Sequence, residues 1–204
     1  MENYLIYDLE SFNSDRAQEY WDRKKISPAA NIKDPVKIEK NIEEKRLAGM
    51  EKSALSPITG RITCLGLSFN GDAKFFINED EKALLEDINT FIEGKEIRHY
   101  VGWNNVEFDL PYLRIRNMAN GLQVPDWLHY RTRHLDLMNM FGRRNMRSLK
   151  DMEFALDIRR DSNKDGAHAL TLWKERDFES LERYCIDDVR STEAIYLRMG
   201  GAGL

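Results

Sequence analysis

Residues 4–9, Tyr-Leu-Ile-Tyr-Asp-Leu, constrain the fold more than any other stretch of this chain. Leu5, Tyr7 and Leu9 alternate with Tyr4, Ile6 and Asp8. A strand built from them is apolar on both faces, as a central strand covered on each side must be. Its period of two places Asp8 and Glu10 on one face. Two later segments carry acids in equally patterned surroundings, Gly102-Trp-Asn-Asn-Val-Glu-Phe-Asp109-Leu-Pro-Tyr and Tyr184-Cys-Ile-Asp-Asp188. Asp109 opens one helical pattern and Asp188 lies inside another. Four carboxylates brought together repel and cannot all stay ionised without cations. Two divalent ions about 4 Å apart answer that repulsion and also catalyse in-line attack on a phosphodiester. The residues therefore read as those of a two-metal nuclease.

Asp8-x-Glu10, Asn104-x-x-x-Phe108-Asp109 and Tyr184-x-x-x-Asp188 together resemble the three exonuclease motifs of the DEDD superfamily, in its tyrosine-bearing branch. The middle and last segments look most like the proofreading domains of family-B DNA polymerases and their stand-alone relatives. The resemblance runs from about residue 4 to residue 196. An Asp-x-Glu pair alone would carry nothing, because it arises by chance in most proteins; three motifs in order, with their flanking residues, are specific. The resemblance implies an α/β, RNase H-like fold, a central mixed sheet flanked by helices. It also implies a metal-dependent 3′–5′ exonuclease acting on DNA, with single-stranded or frayed 3′ ends preferred and nucleoside 5′-monophosphates released. An exoribonuclease of the same superfamily remains the alternative, since nothing in the residues reads a 2′-hydroxyl. A non-catalytic nucleic-acid-binding module is a third reading, against which the intact set of acids and Tyr184 argue.

The length of 204 residues predicts a single domain over residues 1–204 with a substantial core. A net charge of −4 announces no global basic field, although a nuclease needs only a local basic track. Cys64 and Cys185 lack metal-ligand spacing and read as buried free thiols in a reducing compartment. The polar start and the lack of a run of about 20 apolar residues predict no leader, no membrane span and a cytoplasmic protein. No polymerase sequence follows residue 204, so a polymerase partner acting in trans is an open possibility.

Strands are predicted at 4–9, 61–69, 73–77 and 98–103, with Asn70-Gly71 joining the second and third as a hairpin. Helices are predicted at 79–93, 107–119, 147–156 and 177–199. About fifty residues separate the first strand from the hairpin, a helical insertion at about 14–58. It holds a helix at about 14–26 and a longer one at 35–55, where Pro35 follows Asp34 and Val36, Ile38, Ile42, Leu47, Met50 and Leu55 form a partial apolar stripe. Its root lies just after Glu10. A solvated helical hairpin and an element shaping the substrate path both fit.

In the family that the motifs resemble, the first acid bridges both metals, a role that falls to Asp8. Glu10 and Asp188 complete the site of the ion that activates water, and Asp109 holds the second ion beside the leaving oxygen. Mg²⁺ suits oxygen ligands, and Mn²⁺ should replace it. Tyr184 lies four residues before Asp188 and so on the same helical face. A phenol with a pKa of about 10 is a poor base at neutral pH, which leaves the orientation of water as its role. The resemblance also places Ser11 and Phe12 near the terminal nucleotide, Asn104 and Phe108 along the strand, Ser148-Leu149 against single-stranded DNA and Lys164 near the scissile phosphate. Phe108 could equally be core. Residues 130–150 hold six Arg or Lys and one acid, and Arg143, Arg144 and Arg147 flank Gly142 in an expected loop. They fit backbone-phosphate contacts, or a merely solvated face.

Overall fold

A computed structural model describes residues 3–129, 131–142, 148–160 and 166–200. Five strands form one sheet: β1 (Tyr4–Asn13), β2 (Gly60–Phe69), β3 (Asp72–Ile77), β4 (His99–Gly102) and β5 (His134–Asp136), in the order β3-β2-β1-β4-β5. β1 is thus the central strand, as its two apolar faces require. It runs parallel to β4, β4 runs parallel to β5, and β2 is antiparallel to β3. Asn70 and Gly71 both have positive φ, 53° and 92°, the backbone of a two-residue hairpin turn that matches strand twist. The mixed sheet flanked by helices is the RNase H-like α/β architecture that the motifs implied.

Strand parity divides the core. Leu5, Tyr7 and Leu9 belong to one apolar cluster, with Leu84, Leu85 and Ile88 of α3 (Glu81–Ile92) and Leu110, Tyr112 and Leu113 of α4 (Asp109–Ala119). Ile6 belongs to another, with Val189, Ile195 and Tyr196 of α8 (Phe178–Arg198) and Met152 of α6 (Leu149–Ala155). Asp8 and Glu10 share the parity of Ile6, so the sheet turns them toward the α8 layer. α8 begins where the Asp177 side chain accepts the Ser180 N–H, and it buries Leu181, Tyr184, Cys185, Asp188, Val189 and Thr192 on a single face. It can lie close to β2 because residue 66 is glycine. A Cβ there would stand 3.0 Å from Val189 Cγ2 and 3.1 Å from the Cys185 carbonyl oxygen.

The structure adds β5, the short helix α5 (Leu137–Met140) and α7 (Gly166–Glu175) to the predicted elements. A three-residue strand is too short to show a period. β1 also continues four residues beyond its predicted end, to Asn13, so the insertion departs later than expected.

By contacts the chain forms two compact units, residues 1–10 with 62–204, and residues 11–61. In the second, α1 (Ala17–Arg23) and α2 (Pro35–Glu51) pack against each other. Asp34 caps α2 by accepting the Lys37 N–H, with Pro35 in the first turn. Trp21 crosses α2 at Gly49, where a Cβ would meet the indole at 2.3 Å, and its Nε1–H donates to Ser53 Oγ at 2.8 Å. The apolar stripe expected along 35–55 does not form a buried face. α2 has no buried residue, and Val36, Leu47 and Leu55 are exposed. α2 stops at Glu51, and a 3₁₀ turn takes up Ser53–Leu55.

Candidate active site

Asp8, Glu10 and Asp188 meet. Each offers a carboxylate oxygen, and these atoms all lie within 4.8 Å of one another. β1 supplies two of the acids through its alternation, and α8 supplies the third from the face that Gly66 admits to the sheet. Burial pushes the Asp8 carboxyl well above its usual range, with Asp109 and Asp188 raising it further. Burial does the same to Glu10, followed by repulsion from Asp8. Burial and mutual repulsion together disfavour the charged forms of these acids.

Asp109 stands beside these three acids rather than within their 4.8 Å circle. Its Oδ1 accepts the Leu9 N–H at 3.1 Å, which ties the start of α4 to β1 between the two strand acids. Burial raises its pKa to about 7, against the lowering effect of that backbone hydrogen bond. Tyr184 lies one helical turn before Asp188 and donates its hydroxyl to the Asp188 carboxylate. Burial and the neighbouring Asp188, Glu10 and Asp8 push the phenol far above its ordinary range. The phenol holds its proton and donates to Asp188, which suits orientation of a ligand rather than action as a base.

Arg160 is the residue that local sequence patterns could not single out. Its Nη2 lies 2.7 Å from Asp188 Oδ1, and its Nη1 lies 3.2 Å from Glu153 Oε1 on α6. The Tyr184 ring centroid is 5.6 Å from its Cζ. Burial works against the guanidinium charge, but Asp188, Glu153 and Tyr184 together raise its pKa. Arg159-Arg160 looks like a surface pair in the sequence; only packing selects the second. A charge balance gives the one usable signal, since several converging acids call for a nearby cation.

The expected nucleic-acid contacts that fall on described residues have the following surroundings. Ser11 and Phe12 fall in the second unit, where Ser11 donates to the Ala54 carbonyl at 2.7 Å and Phe12 is buried. Asn104 has positive φ (61°), and its N–H donates to Asp136 Oδ1 at 3.1 Å. Asp136 also accepts the N–H and the side-chain amide of Asn139, a structural use. Phe108 is half-buried against Tyr112, with ring centroids 5.5 Å apart. Ser148 caps α6 by accepting the Asp151 N–H, and Leu149 packs on the Ile6–Val189 cluster. Arg143, Arg144, Arg147 and Lys164 lie outside the described residues. The neighbour of Asn104 has a structural part that no motif marks. Asn105 is fully buried, packs on Gly102 and donates to the Tyr7 hydroxyl at 3.1 Å, bracing the β4–α4 turn against β1. Cys64 and Cys185 are buried free thiols with sulfurs 3.7 Å apart.

The donor set fits a hard divalent cation. All three converging side chains offer carboxylate oxygen, and their charge is under-compensated. Among the described residues, no helix is long and apolar enough to cross a membrane.

The chain resembles the family B DNA polymerase of the hyperthermophilic archaeon Pyrobaculum calidifontis with a TM-score of 0.66 at 17% identity; the match covers 98% of this chain and 24% of the polymerase. At that identity the likeness speaks for the fold, and the chain spans about a quarter of the polymerase's length. An uncharacterized protein of Methanocaldococcus jannaschii is 24% identical over 174 residues, which cover 78% of this chain and 97% of that protein. Residues 75–202 match a family described as predicted 3′–5′ exonucleases related to the exonuclease domain of PolB. That span includes Asp109, Glu153, Arg160, Tyr184 and Asp188, while Asp8 and Glu10 precede it. With well over half its length matched, the chain belongs to the family of predicted 3′–5′ exonucleases related to the exonuclease domain of PolB.

Proposed function

We propose that this protein hydrolyses the terminal phosphodiester at DNA 3′ ends, with single-stranded or frayed ends preferred, and releases nucleoside 5′-monophosphates. Asp8, Glu10 and Asp188 hold divalent metal, Mg²⁺ or Mn²⁺, and Asp109 completes a second position. The observation that carries this reading is the convergence of three carboxylates within 4.8 Å beneath a tyrosine that donates to one of them. Bound divalent ions would supply positive charge against the charge developing at phosphorus and would make water acidic enough to attack.

The chain's own residues do the rest. β1 fixes Asp8 and Glu10 on one face, so their spacing is set by the strand rather than by side-chain freedom. The Leu9 N–H holds Asp109 in register with them. Tyr184 keeps its proton and directs its hydroxyl at Asp188, so it orients the attacking water instead of deprotonating it. Arg143, Arg144, Arg147 and Lys164 are proposed to contact phosphates, and Ser11, Phe12, Asn104, Phe108, Ser148 and Leu149 to line the strand's path. The residues 11–61 unit is proposed to select among ends without entering the chemistry. A polymerase working in trans would give the activity a proofreading setting.

The test is digestion of 3′- and 5′-labelled DNA and RNA of one sequence, single-stranded, recessed and blunt, with Mg²⁺, Mn²⁺ or EDTA. The expected result is stepwise shortening from the 3′ end of DNA, fastest on single strands and absent in EDTA. Preferential degradation of the RNA would move the reading to an exoribonuclease. Metal-independent cleavage, or none on any substrate, would overturn it.

A further inference from the structure

Arg160 and Glu153 are each only 7% exposed at the side chain. Buried charges of this kind are found paired, and here the pair extends to a third member, Asp188. Among the described residues, Arg160 makes the only ion pair to any of Asp8, Glu10 and Asp188. One guanidinium therefore faces two carboxylates at once. Glu153 Oε1 and Oε2 lie 3.2 and 3.5 Å from its Nη1 on one side, and Asp188 lies on the other. Asp188 belongs to the converging acids, while Glu153 does not.

From this geometry we infer that Arg160 is the built-in counter-cation of the acidic cluster, anchored by Glu153, and that it sets how tightly divalent ions are taken up. The inference rests on the reading of Asp8, Glu10 and Asp188 as metal-holding residues. Without metal, the guanidinium neutralises Asp188 and limits repulsion among the converging acids. When ions enter, Asp188 exchanges the guanidinium for metal. Arg160 keeps its bonds to Glu153, so it need not become a buried unpaired charge at that moment. It stays close enough to repel a divalent ion, which lowers affinity. Arg160 is a positioning residue in this scheme: it acts through Asp188 and need touch neither substrate nor water.

The experiment titrates metal-stripped protein with Mn²⁺ by calorimetry and follows thermal unfolding in EDTA, with no nuclease assay needed. Arg160→Gln should lower the melting temperature in EDTA yet bind Mn²⁺ about 10-fold more tightly, the size expected when one partly screened unit charge is removed from the ion's surroundings. Because this variant leaves Glu153 unpaired and could fold poorly, the double variant E153Q/R160Q is measured beside it and should show a smaller tightening in the same direction, since Asp188 is freed from the guanidinium while the more distant Glu153 charge is lost as well. Arg160→Lys restores the charge and should return the affinity to within about twofold of wild type. A merely structural Arg160 would lower stability but leave Mn²⁺ affinity unchanged or weaker in both Gln variants, and that result overturns the inference alone. Wild-type protein that binds no Mn²⁺ overturns the metal reading and this inference together.

Discussion

Glu81 and the Asp8–Glu10–Asp188 group place buried or partly buried carboxylates in the same compact unit, with opposite surroundings. Glu81 is 7% exposed and saturated. Its Oε1 accepts from the Ile62 N–H at 2.6 Å and from Arg116 Nε at 2.9 Å, and its Oε2 accepts from Arg116 Nη2 at 2.5 Å and Asn120 Nδ2 at 2.9 Å. One acid there has one guanidinium in a two-pronged grip, plus two further donors. In the other group, among the described residues, one guanidinium, that of Arg160, pairs with one of the three acids, Asp188. The first arrangement is closed: it joins β2, α3 and α4 and has no capacity left. The second is under-compensated, and its acids hold their protons above the usual range because burial and mutual repulsion penalise their charge. A carboxylate whose partners are all inside the chain serves the scaffold. A group whose partners are too few inside the chain is poised for a cation from outside.

The largest effect should come from Asp8→Ala. Cleavage of single-stranded DNA should fall to the level of a mock-purified control, and the rise in melting temperature with Mn²⁺ should vanish, since ligand stabilisation needs binding to the native state. In EDTA the variant should be at least as stable as wild type, because deleting one acid relieves repulsion. A variant markedly less stable in EDTA would place Asp8 with Glu81 among the scaffold acids.

Glu81→Gln should behave in the opposite way. Breaking a buried pair by removing one partner should cost about 3 kcal/mol of stability by urea unfolding, while Mn²⁺ affinity stays as in wild type. A change in that affinity would mean that Glu81, too, acts on the metal-holding acids.

Asp109 sharpens it through pH. Its folded pKa of about 7 lies above the ordinary carboxylate value of 3.8. The folded state therefore binds its proton more tightly than the unfolded state does. The protonated acid favours folding below the unfolded value, and stability is lost as pH rises toward 7, by at most about 1.4 kcal/mol per pH unit for one group. Asp8 and Glu10 add in the same direction. Melting temperatures in EDTA should thus fall from pH 5 to pH 7, less steeply in Asp109→Asn, and saturating Mn²⁺ should remove the fall. A flat profile in EDTA would show that the cluster is compensated after all.

Tyr184→Phe should have the smallest effect. The fold and Mn²⁺ binding should persist, and single-turnover cleavage should slow by about 10-fold, the worth of one orienting contact of about 1.4 kcal/mol. An unchanged rate at saturating DNA would leave Tyr184 as packing for Arg160.

What the sequence alone determined is local and periodic. The two apolar faces of Tyr4–Leu9 demanded a central strand, and the period of two aligned Asp8 with Glu10. Asn70-Gly71 specified the hairpin through its positive φ angles, and the helical repeat put Tyr184 over Asp188. Tertiary structure decided what depends on neighbours distant in the chain. The partial stripe of α2 is a pattern without a buried face, because an apolar residue is core only where another element covers it. Ser148 is a helix cap here, and Phe108 rests half-buried on Tyr112. Asp109 is tied to the Leu9 N–H one hundred residues away. The choice of Arg160 over Arg159, with Glu153 behind it, follows from where α6 and α8 bring their charges together. Periodicity reports which face of an element a residue occupies; charge compensation in the interior depends on what that face meets, and only packing decides that.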